Sequence, residues 1–349
     1  MKRALIFFAA LCVLAGCRKQ TKTEKDMTQL SFTEQQASWM TAIAAHEAKG
    51  DLAALETAIQ GGLGAGLTIN QVKEALSHLY AYTGFPRSLN ALGVLKSVTD
   101  AGDYELGVDA TPLPSDFDAL KQGTEVQTRL TGVPFNYDFA PQEDYYLKAH
   151  LFGDIFARDN LTYADRELIT VSALAGMEGV APQLSAHIRG ARNMGVTEVQ
   201  LQGIVVALAT KVGYQEAGRM AGLLETDWPQ GEPNTAYAQY FVGNSYLQRY
   251  ADGAANVTFD PGCRKNWHIH HGAVQVLICV SGRGWYQEWG KPAIALTPGK
   301  VIAIPEGVKH WHGAAADSRM QHLAMHTEVQ EVNSNEWLEA VSDEQYEKL

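Results

Sequence analysis

The sequence predicts a multidomain protein in which a duplicated all-α helical bundle is followed by an all-β barrel. Three observations predict this class. The chain has 349 residues, two to three times the usual domain size of about 100–200 residues. Two helix-patterned segments repeat each other along the first two thirds of the chain. From residue 241 onward, short β-rich runs alternate with Gly and Pro turns.

Composition narrows the classes of function. Hydrophobic residues make up 46% of the chain and charged residues 19%, which is typical of a globular protein rather than a disordered or fibrous one. The formal net charge is −11, so we expect no basic surface for a phosphate backbone and no nucleic-acid partner. Beyond the N-terminus, no apolar run approaches the roughly 18 residues that span a bilayer.

The N-terminus has the pattern of a secretory signal. Lys2 and Arg3 precede an apolar stretch over residues 4–15, which is too short for a membrane span and ends at Gly16 and Cys17. This ending resembles a bacterial lipobox, which implies cleavage before Cys17 and diacylation of that cysteine. The alternative is an ordinary signal peptide cut nearby, with Cys17 incidental.

We therefore expect a signal peptide over residues 1–16 and a polar tether over residues 17–27. The mature chain would be lipid-anchored in the cell envelope, on the periplasmic face, with the membrane as a partner. Arg18 after the cysteine favours outer-membrane sorting if the host is Gram-negative.

The repeat runs at a fixed offset. Gly66 recurs as Gly195 and Gly84 as Gly213, 129 residues apart in both pairs. Each copy contains the spacing of two helix capping boxes, which satisfy free amide donors at helix starts. These pairs are Ser31 with Glu34, Thr68 with Gln71, Thr162 with Asp165, and Thr197 with Gln200. We expect repeat 1 over residues 28–100, and a linker with repeat 2 over residues 101–226.

The repeated region resembles the carboxymuconolactone decarboxylase-like family, which has the alkylhydroperoxidase D-like fold. The most specific stretches are residues 166–168, 187–191 and 195–197. In that family a Glu and a His on neighbouring helices serve proton transfer, which implies a catalytic role for Glu167 and His187. The alternative is a buried hydrogen-bonded pair that only positions the two helices.

Two further expectations follow for this region. The peroxidase branch needs a Cys-x-x-Cys, but Val180 and Gln183 stand in those places, so disulfide-based peroxidase chemistry is excluded. The resemblance also implies a homo-oligomer, in agreement with the amount of apolar helix face in each copy.

Residues 227–240 are predicted to be a linker, residues 241–335 the barrel and residues 336–349 a tail. Seven of the eleven histidines lie between His268 and His326, which indicates a metal site. His268 and His270 lie two apart on a predicted strand, so their imidazoles share a face.

Two spacings resemble the two cupin motifs. They are Gly262-x5-His268-x-His270-x4-Gln275-x6-Gly282 and Gly299-x5-Pro305-x-Gly307-x2-His310. The resemblance implies His268, His270, Gln275 and His310 as metal ligands. Three imidazoles and an amide oxygen suit a divalent first-row metal: manganese is our first expectation, and iron, nickel, cobalt and zinc are alternatives.

The same segment is similar to the small manganese-dependent bacterial cupins that include hydroxynitrile lyases. This resemblance implies that His322, on the last barrel strand, is the proton-transfer residue. The alternative is a core histidine bonded to a backbone carbonyl. We expect His271 to be a turn residue, whereas the roles of His312 and His326 stay open. Cys263 and Cys279 are predicted to face opposite ways and to form no disulfide.

We expect an envelope-anchored, metal-dependent cupin enzyme with lyase or decarboxylase chemistry on a small hydroxy, carbonyl or carboxylate compound. One alternative keeps the same ligands but uses iron and O₂ as a dioxygenase. The other is a non-catalytic metabolite-binding or oligomerising lipoprotein.

Overall fold

The computed structural model describes residues 27–349, so the predicted signal peptide and Cys17 lie outside the described residues. Helices occupy the first part of this range and antiparallel strands the second. The predicted fold class, an all-α bundle followed by an all-β barrel, is confirmed. Within residues 27–349, no helix combines the length and the apolar character that crossing a membrane requires.

The helical domain consists of two copies of a four-helix unit. The first copy contains α1 (Glu34–Lys49), α2 (Leu52–Gly64), α3 (Ile69–Thr83) and α4 (Phe85–Asp100). Between the copies lie α5 (Ala119–Thr131), α6 (Pro141–Tyr145) and a π-helix (Tyr146–Ile155). The second copy contains α7 (Tyr163–Gly176), α8 (Ala181–Asn193), α9 (Glu198–Lys211) and α10 (Tyr214–Leu224). Every helix of the second copy begins 129 residues after its counterpart, which agrees with a duplication.

Three of the four predicted capping boxes are confirmed. They begin at Thr68, Thr162 and Thr197. The prediction for Ser31 and Glu34 is wrong, because Thr33 caps α1 and Gln36 completes the box. Ser31 instead donates its amide and hydroxyl to the Asp165 carboxylate, at 2.8 and 2.7 Å, and so ties the first copy to the start of α7.

Two sheets form the barrel, and all their strand pairs are antiparallel. One sheet has the order β1 (Glu232–Pro233), β3 (Ser245–Arg249), β4 (Ala255–Phe259), β12 (Met320–Thr327), β7 (Val274–Gly282), β10 (Val301–Ile304). The other has the order β13 (Ser334–Trp337), β6 (His268–His271), β11 (His310–Ala314), β5 (Arg264–Lys265), β2 (Phe241–Val242). β8 (Gly284–Glu288) joins β11, and β9 (Ile294–Leu296) joins β8. A 3₁₀ helix (Thr235–Tyr240) and the short α11 (Asp343–Tyr346) flank these strands.

Strand β7 contacts both domains. Leu277 and Cys279 point into the barrel core, whereas Val276, Ile278 and Val280 belong to the core of the helical domain. This is the alternation of a strand with two buried faces. The helical domain therefore packs directly on the strand that carries Gln275 in the barrel.

Helix α10 approaches the barrel through glycines. A Cβ added to Gly299, in the turn before β10, would lie 2.9 Å from the Cα of Gly222, so side chains are excluded at this contact. Gly299 also has a φ of +86°, a conformation that favours glycine. The close approach lets α10 bury its apolar face against β7.

Both barrel cysteines are free, in agreement with the predicted lack of a disulfide between them. The predicted reason is wrong, because Cys263 and Cys279 belong to the same interior cluster. The chain between β5 and β6 is irregular at Asn266 and Trp267. Strand alternation therefore does not carry across from Cys263 to His268.

Candidate metal centre and proton-transfer residues

The barrel interior brings together the histidines that the sequence singles out. His268 and His270 of β6 are buried, and so are His310 and His312 of β11 and His322 of β12. Each pair is two residues apart, so alternation places both members inside. His326 lies at the exposed end of β12, with its ring centroid 5.0 Å from that of His270.

Backbone carbonyls hold two of the predicted ligands. His268 Nδ1 donates to the carbonyl of Asn266, and His310 Nδ1 donates to the carbonyl of Val308, both at 2.9 Å. Because a carbonyl only accepts, Nδ1 carries the proton in both rings and Nε2 is left with a lone pair. Nε2 of His268 is buried and has no hydrogen-bond partner among the described residues. Such an orientation is typical of metal-ligating histidines.

A side chain holds the third imidazole. His270 Nδ1 donates to Oδ1 of Asn335, on the neighbouring strand β13, at 2.6 Å. Its Nε2 is likewise buried without a partner in residues 27–349. Ring centroids of His268 and His310 are 4.1 Å apart, and His270 lies 5.1 and 5.3 Å from them.

Gln275 reaches this cluster from the start of β7. Its Oε1 lies 3.3 Å from Nε2 of His310. Since the proton of His310 is on Nδ1, an imidazole lone pair and an amide oxygen face each other. The two atoms can bind one cation together, and without a cation the Gln275 amide can turn so that its NH₂ group donates to Nε2. The contact therefore places Gln275 within reach of any metal bound at His310.

The predicted donor set fits a divalent metal in its protonation state. Burial lowers the pKa of His270 to about 4 and that of His310 to about 3, so both rings are neutral at pH 7. Neutral imidazoles bind a metal without first losing a proton. Among the described residues, the side chains that bring one ligand atom each within 4.8 Å of one another are His268, His310 and His312, so His270 lies outside this closest group. His312 is therefore adjacent to the predicted ligand set.

His322 lies beyond His312, which separates it from the predicted ligand His268. Its ring centroid is 5.0 Å from that of His312 and 5.3 Å from that of Phe259. His312 in turn lies 5.7 Å from His268 and so links the two. Burial lowers the pKa of His322 to about 3, and both its nitrogens are buried without a partner among the described residues. It is a neutral base with free lone-pair capacity, and no backbone carbonyl within residues 27–349 binds it.

His271, by contrast, ends strand β6 outside the barrel. Its Nε2 lies 2.9 Å from a carboxylate oxygen of Glu336, and both side chains are exposed. The other face of β6 therefore carries no part of the histidine cluster.

Sequence reasoning missed Lys265. On β5, Arg264 turns outward, where it binds the carbonyl of Val341 and the carboxylate of Asp343. Lys265 therefore turns inward, and its Nζ lies 5.7 Å from the Trp337 ring centroid and 5.8 Å from that of Phe241. Strand alternation cannot be counted back from His268 across the irregular Asn266 and Trp267, so the sequence did not predict the inward orientation of Lys265 or of Cys263.

The structure also brings Glu167 and His187 together. His187 Nδ1 donates to Oε2 of Glu167 at 2.9 Å, and the Glu167 side chain is fully buried. The other oxygen, Oε1, has no hydrogen-bond partner in the described part of the chain. Tyr82 of the first copy packs edge-on against the His187 ring at 5.5 Å. The geometry fits both the proton-transfer interpretation and the positioning alternative.

A buried ion pair between the copies lies close to this pair. Arg166, next to Glu167 on α7, binds the Glu74 carboxylate of α3 at 2.9 Å, with both side chains buried. Glu74 and His78 also line a cavity of about 230 Å³ beside α4. The duplicated helices thus meet at a polar cluster to which both copies contribute.

Comparisons with known proteins match both domains. A cupin domain family matches residues 255–326, and the carboxymuconolactone decarboxylase family matches residues 141–225. The (R)-mandelonitrile lyase of Granulicella tundricola is 43% identical over 94 residues, which cover 27% of this chain and 70% of that protein.

Two solved structures match part of the chain. A cupin-like protein from Thermotoga maritima is 36% identical with a TM-score of 0.33, covering 36% of this chain and 96% of that chain. A protein described as a predicted oxalate decarboxylase, also from Thermotoga maritima, is 17% identical with a TM-score of 0.25. It covers 28% of this chain and 92% of that chain.

Proposed function

Since this chain joins a carboxymuconolactone decarboxylase-family domain to a cupin domain of the family that includes the Granulicella lyase, we propose that it is a metal-dependent lyase. The observation that carries the proposal is the cluster of buried imidazoles in the barrel: Nε2 of His268 and Nε2 of His270 have no hydrogen-bond partner among the described residues, and Nε2 of His310 lies 3.3 Å from the amide of Gln275. The substrate is a small hydroxy, carbonyl or carboxylate compound.

The proposed ligands are His268, His270, Gln275 and His310, with manganese as the first candidate and iron, nickel, cobalt or zinc as alternatives. When bound, the metal would polarise an oxygen of the substrate. Because the fourth ligand is a neutral amide rather than a carboxylate, these side chains supply no negative charge to the site. That composition favours Lewis-acid chemistry.

His322 is the proposed proton-transfer residue. It takes a proton from the substrate hydroxyl, a carbonyl forms as the adjacent carbon–carbon bond breaks, and the electron pair leaves with the departing carbon. His322 then returns the proton to that group, so the reaction needs no external acid. The name of the 43% identical relative, a mandelonitrile lyase, supports this reaction class.

Anaerobic turnover tests the reaction class. The metal-loaded full chain is screened with hydroxynitriles and 2-hydroxy acids in the absence and presence of O₂. Equal rates in both support the lyase. A strict O₂ requirement with bound iron identifies the dioxygenase instead, and tight binding without turnover identifies a non-catalytic metabolite-binding protein.

The helical domain is proposed to contribute a second acid–base pair, Glu167 and His187, and a homo-oligomeric interface. Exposed Phe85 and Leu89 on α4 support an interface with a second copy.

The proposed envelope location depends on lipidation of Cys17. Mass spectrometry of membrane-extracted protein tests the lipid anchor, and sedimentation of the full chain in detergent tests the oligomer.

A further inference from the structure

The barrel interior contains one positive side chain that the proposed reaction does not use. Lys265 is half-buried, and no carboxylate of a described residue lies within ion-pair distance of its ammonium group. The rings of Trp337 and Phe241 flank its Nζ. These rings offset only part of the hydration that the ammonium loses, and no anionic group of a described residue offsets the rest.

Lys265 belongs to the same interior as the proposed ligands. Trp337, which contacts Nζ on one side, stacks on His268 with ring centroids 4.9 Å apart. The positive charge of Lys265 also contributes to the lowered pKa of every histidine in the barrel cluster. These are His268, His270, His310, His312, His322 and His326. The orientation itself follows from geometry, because Arg264 points outward on the same strand and Trp337 contacts both Lys265 and His268.

A divalent cation at the proposed ligands would leave this interior with an excess of positive charge. The ligands are three neutral imidazoles and one neutral amide, so a divalent cation among them keeps its full charge. Lys265 adds another positive charge in surroundings of low dielectric constant. A negative group that lies between the two would be attracted by both.

We propose that Lys265 binds the carboxylate of the substrate, so that the substrate class is a small organic acid that carries a hydroxyl or carbonyl group. This inference rests on the proposed function, since the metal would take the hydroxyl or carbonyl oxygen while Lys265 takes the carboxylate. A neutral hydroxynitrile would leave the ammonium without a partner. The lysine is thus a specificity-determining residue of this chain.

Matched acid and amide ligands test the assignment by binding alone. Lactate is compared with lactamide, and mandelate with mandelamide, by calorimetry on the metal-loaded full chain at pH 7. The two members of each pair differ in charge but have nearly the same shape. The variants are Lys265→Met, Lys265→Arg and, as a matched control, Lys291→Met, which removes an exposed lysine of the same domain. Metal content and circular dichroism are measured for every sample.

The parent protein should bind each acid roughly 10- to 100-fold more tightly than its amide, the range of a charge-assisted hydrogen bond. Lys265→Met should lose about 10-fold or more of that preference at unchanged metal content. Lys265→Arg, which keeps the charge, and the control Lys291→Met should both keep the preference. Any preference left in Lys265→Met is the share due to the metal.

The same acid-to-amide ratio in the parent and in Lys265→Met would overturn the assignment. If the methionine perturbs folding, Lys265→Gln gives the same comparison with a polar neutral side chain. A parent protein that holds no metal contradicts the proposed function separately. In that case a preference for acids that depends on Lys265 in the metal-free protein still supports carboxylate binding.

Discussion

Asn335→Ala should weaken metal binding although Asn335 contacts no metal. Its Oδ1 accepts the 2.6 Å hydrogen bond that fixes the His270 ring with Nε2 free. The other two ligand rings are held by backbone carbonyls, so Asn335 is the side chain through which this support can be removed. Loss of such a partner lowers metal affinity about 10- to 100-fold, which corresponds to about 1.4–2.7 kcal/mol.

The fold should tolerate the change, because Asn335 is exposed and its β13 backbone still pairs with β6 opposite His270. Competition between the protein and a chromophoric chelator for zinc at pH 7 measures the affinity. Asn333→Ala is the control, since Asn333 is exposed two residues away and donates to the carbonyl of Gln330. Equal affinities of the parent and Asn335→Ala would refute the view that His270 is a ligand positioned by Asn335.

Three further predictions concern the same interior. Gln275→Glu should raise metal affinity in the zinc competition, because it adds a negative charge beside His310; weaker binding would argue against Gln275 as a ligand. His322→Ala should retain metal and fold while turnover falls about 10²- to 10⁴-fold; a parent-like rate would exclude His322 as the base. Without metal, the domain should lose stability as pH falls from about 6.5 toward 3. In this pH window His310 and His322 take up protons in the unfolded chain but stay neutral in the folded domain, where their pKa values are about 3. Proton uptake therefore favours the unfolded chain. Thermal unfolding at stepped pH checks this, and a melting temperature independent of pH across that window would contradict it.

Regular periodicity is what made much of this molecule predictable. Helix starts repeat because each is marked by local capping chemistry, as at Thr68 and Thr197. Likewise the placement of His268 with His270, and of His310 with His312, follows from alternation within one uninterrupted strand. Both signals depend on residues close together in the sequence.

Features that depend on irregular backbone or on distant contacts were not predictable. Asn266 and Trp267 break the alternation between β5 and β6, so the inward facing of Cys263 and Lys265 was missed. Asn335 reaches His270 across 65 residues of chain. No local pattern indicates that partner.

The C-terminal segment and the contact between the two domains also depend on residues that lie far apart in the sequence. Val341 and Tyr346 pack with Trp267 and Trp311 on the outside of the barrel, far from them in sequence. The contact of Gly222 with Gly299 joins two domains through residues 77 positions apart in the sequence. The positions of the C-terminal segment and of this domain contact depend on tertiary packing, which neither helical nor strand periodicity encodes.

The metal content of the full chain, purified without a chelating tag, tests the central claim most directly. Elemental analysis should find about one divalent first-row ion per chain in the parent protein, and close to none in His310→Ala, which lacks one of four ligands. Circular dichroism should show both proteins folded. A folded parent without metal above background, or a His310→Ala variant with the parent's metal content, would contradict the assignment of the barrel histidines as a metal centre.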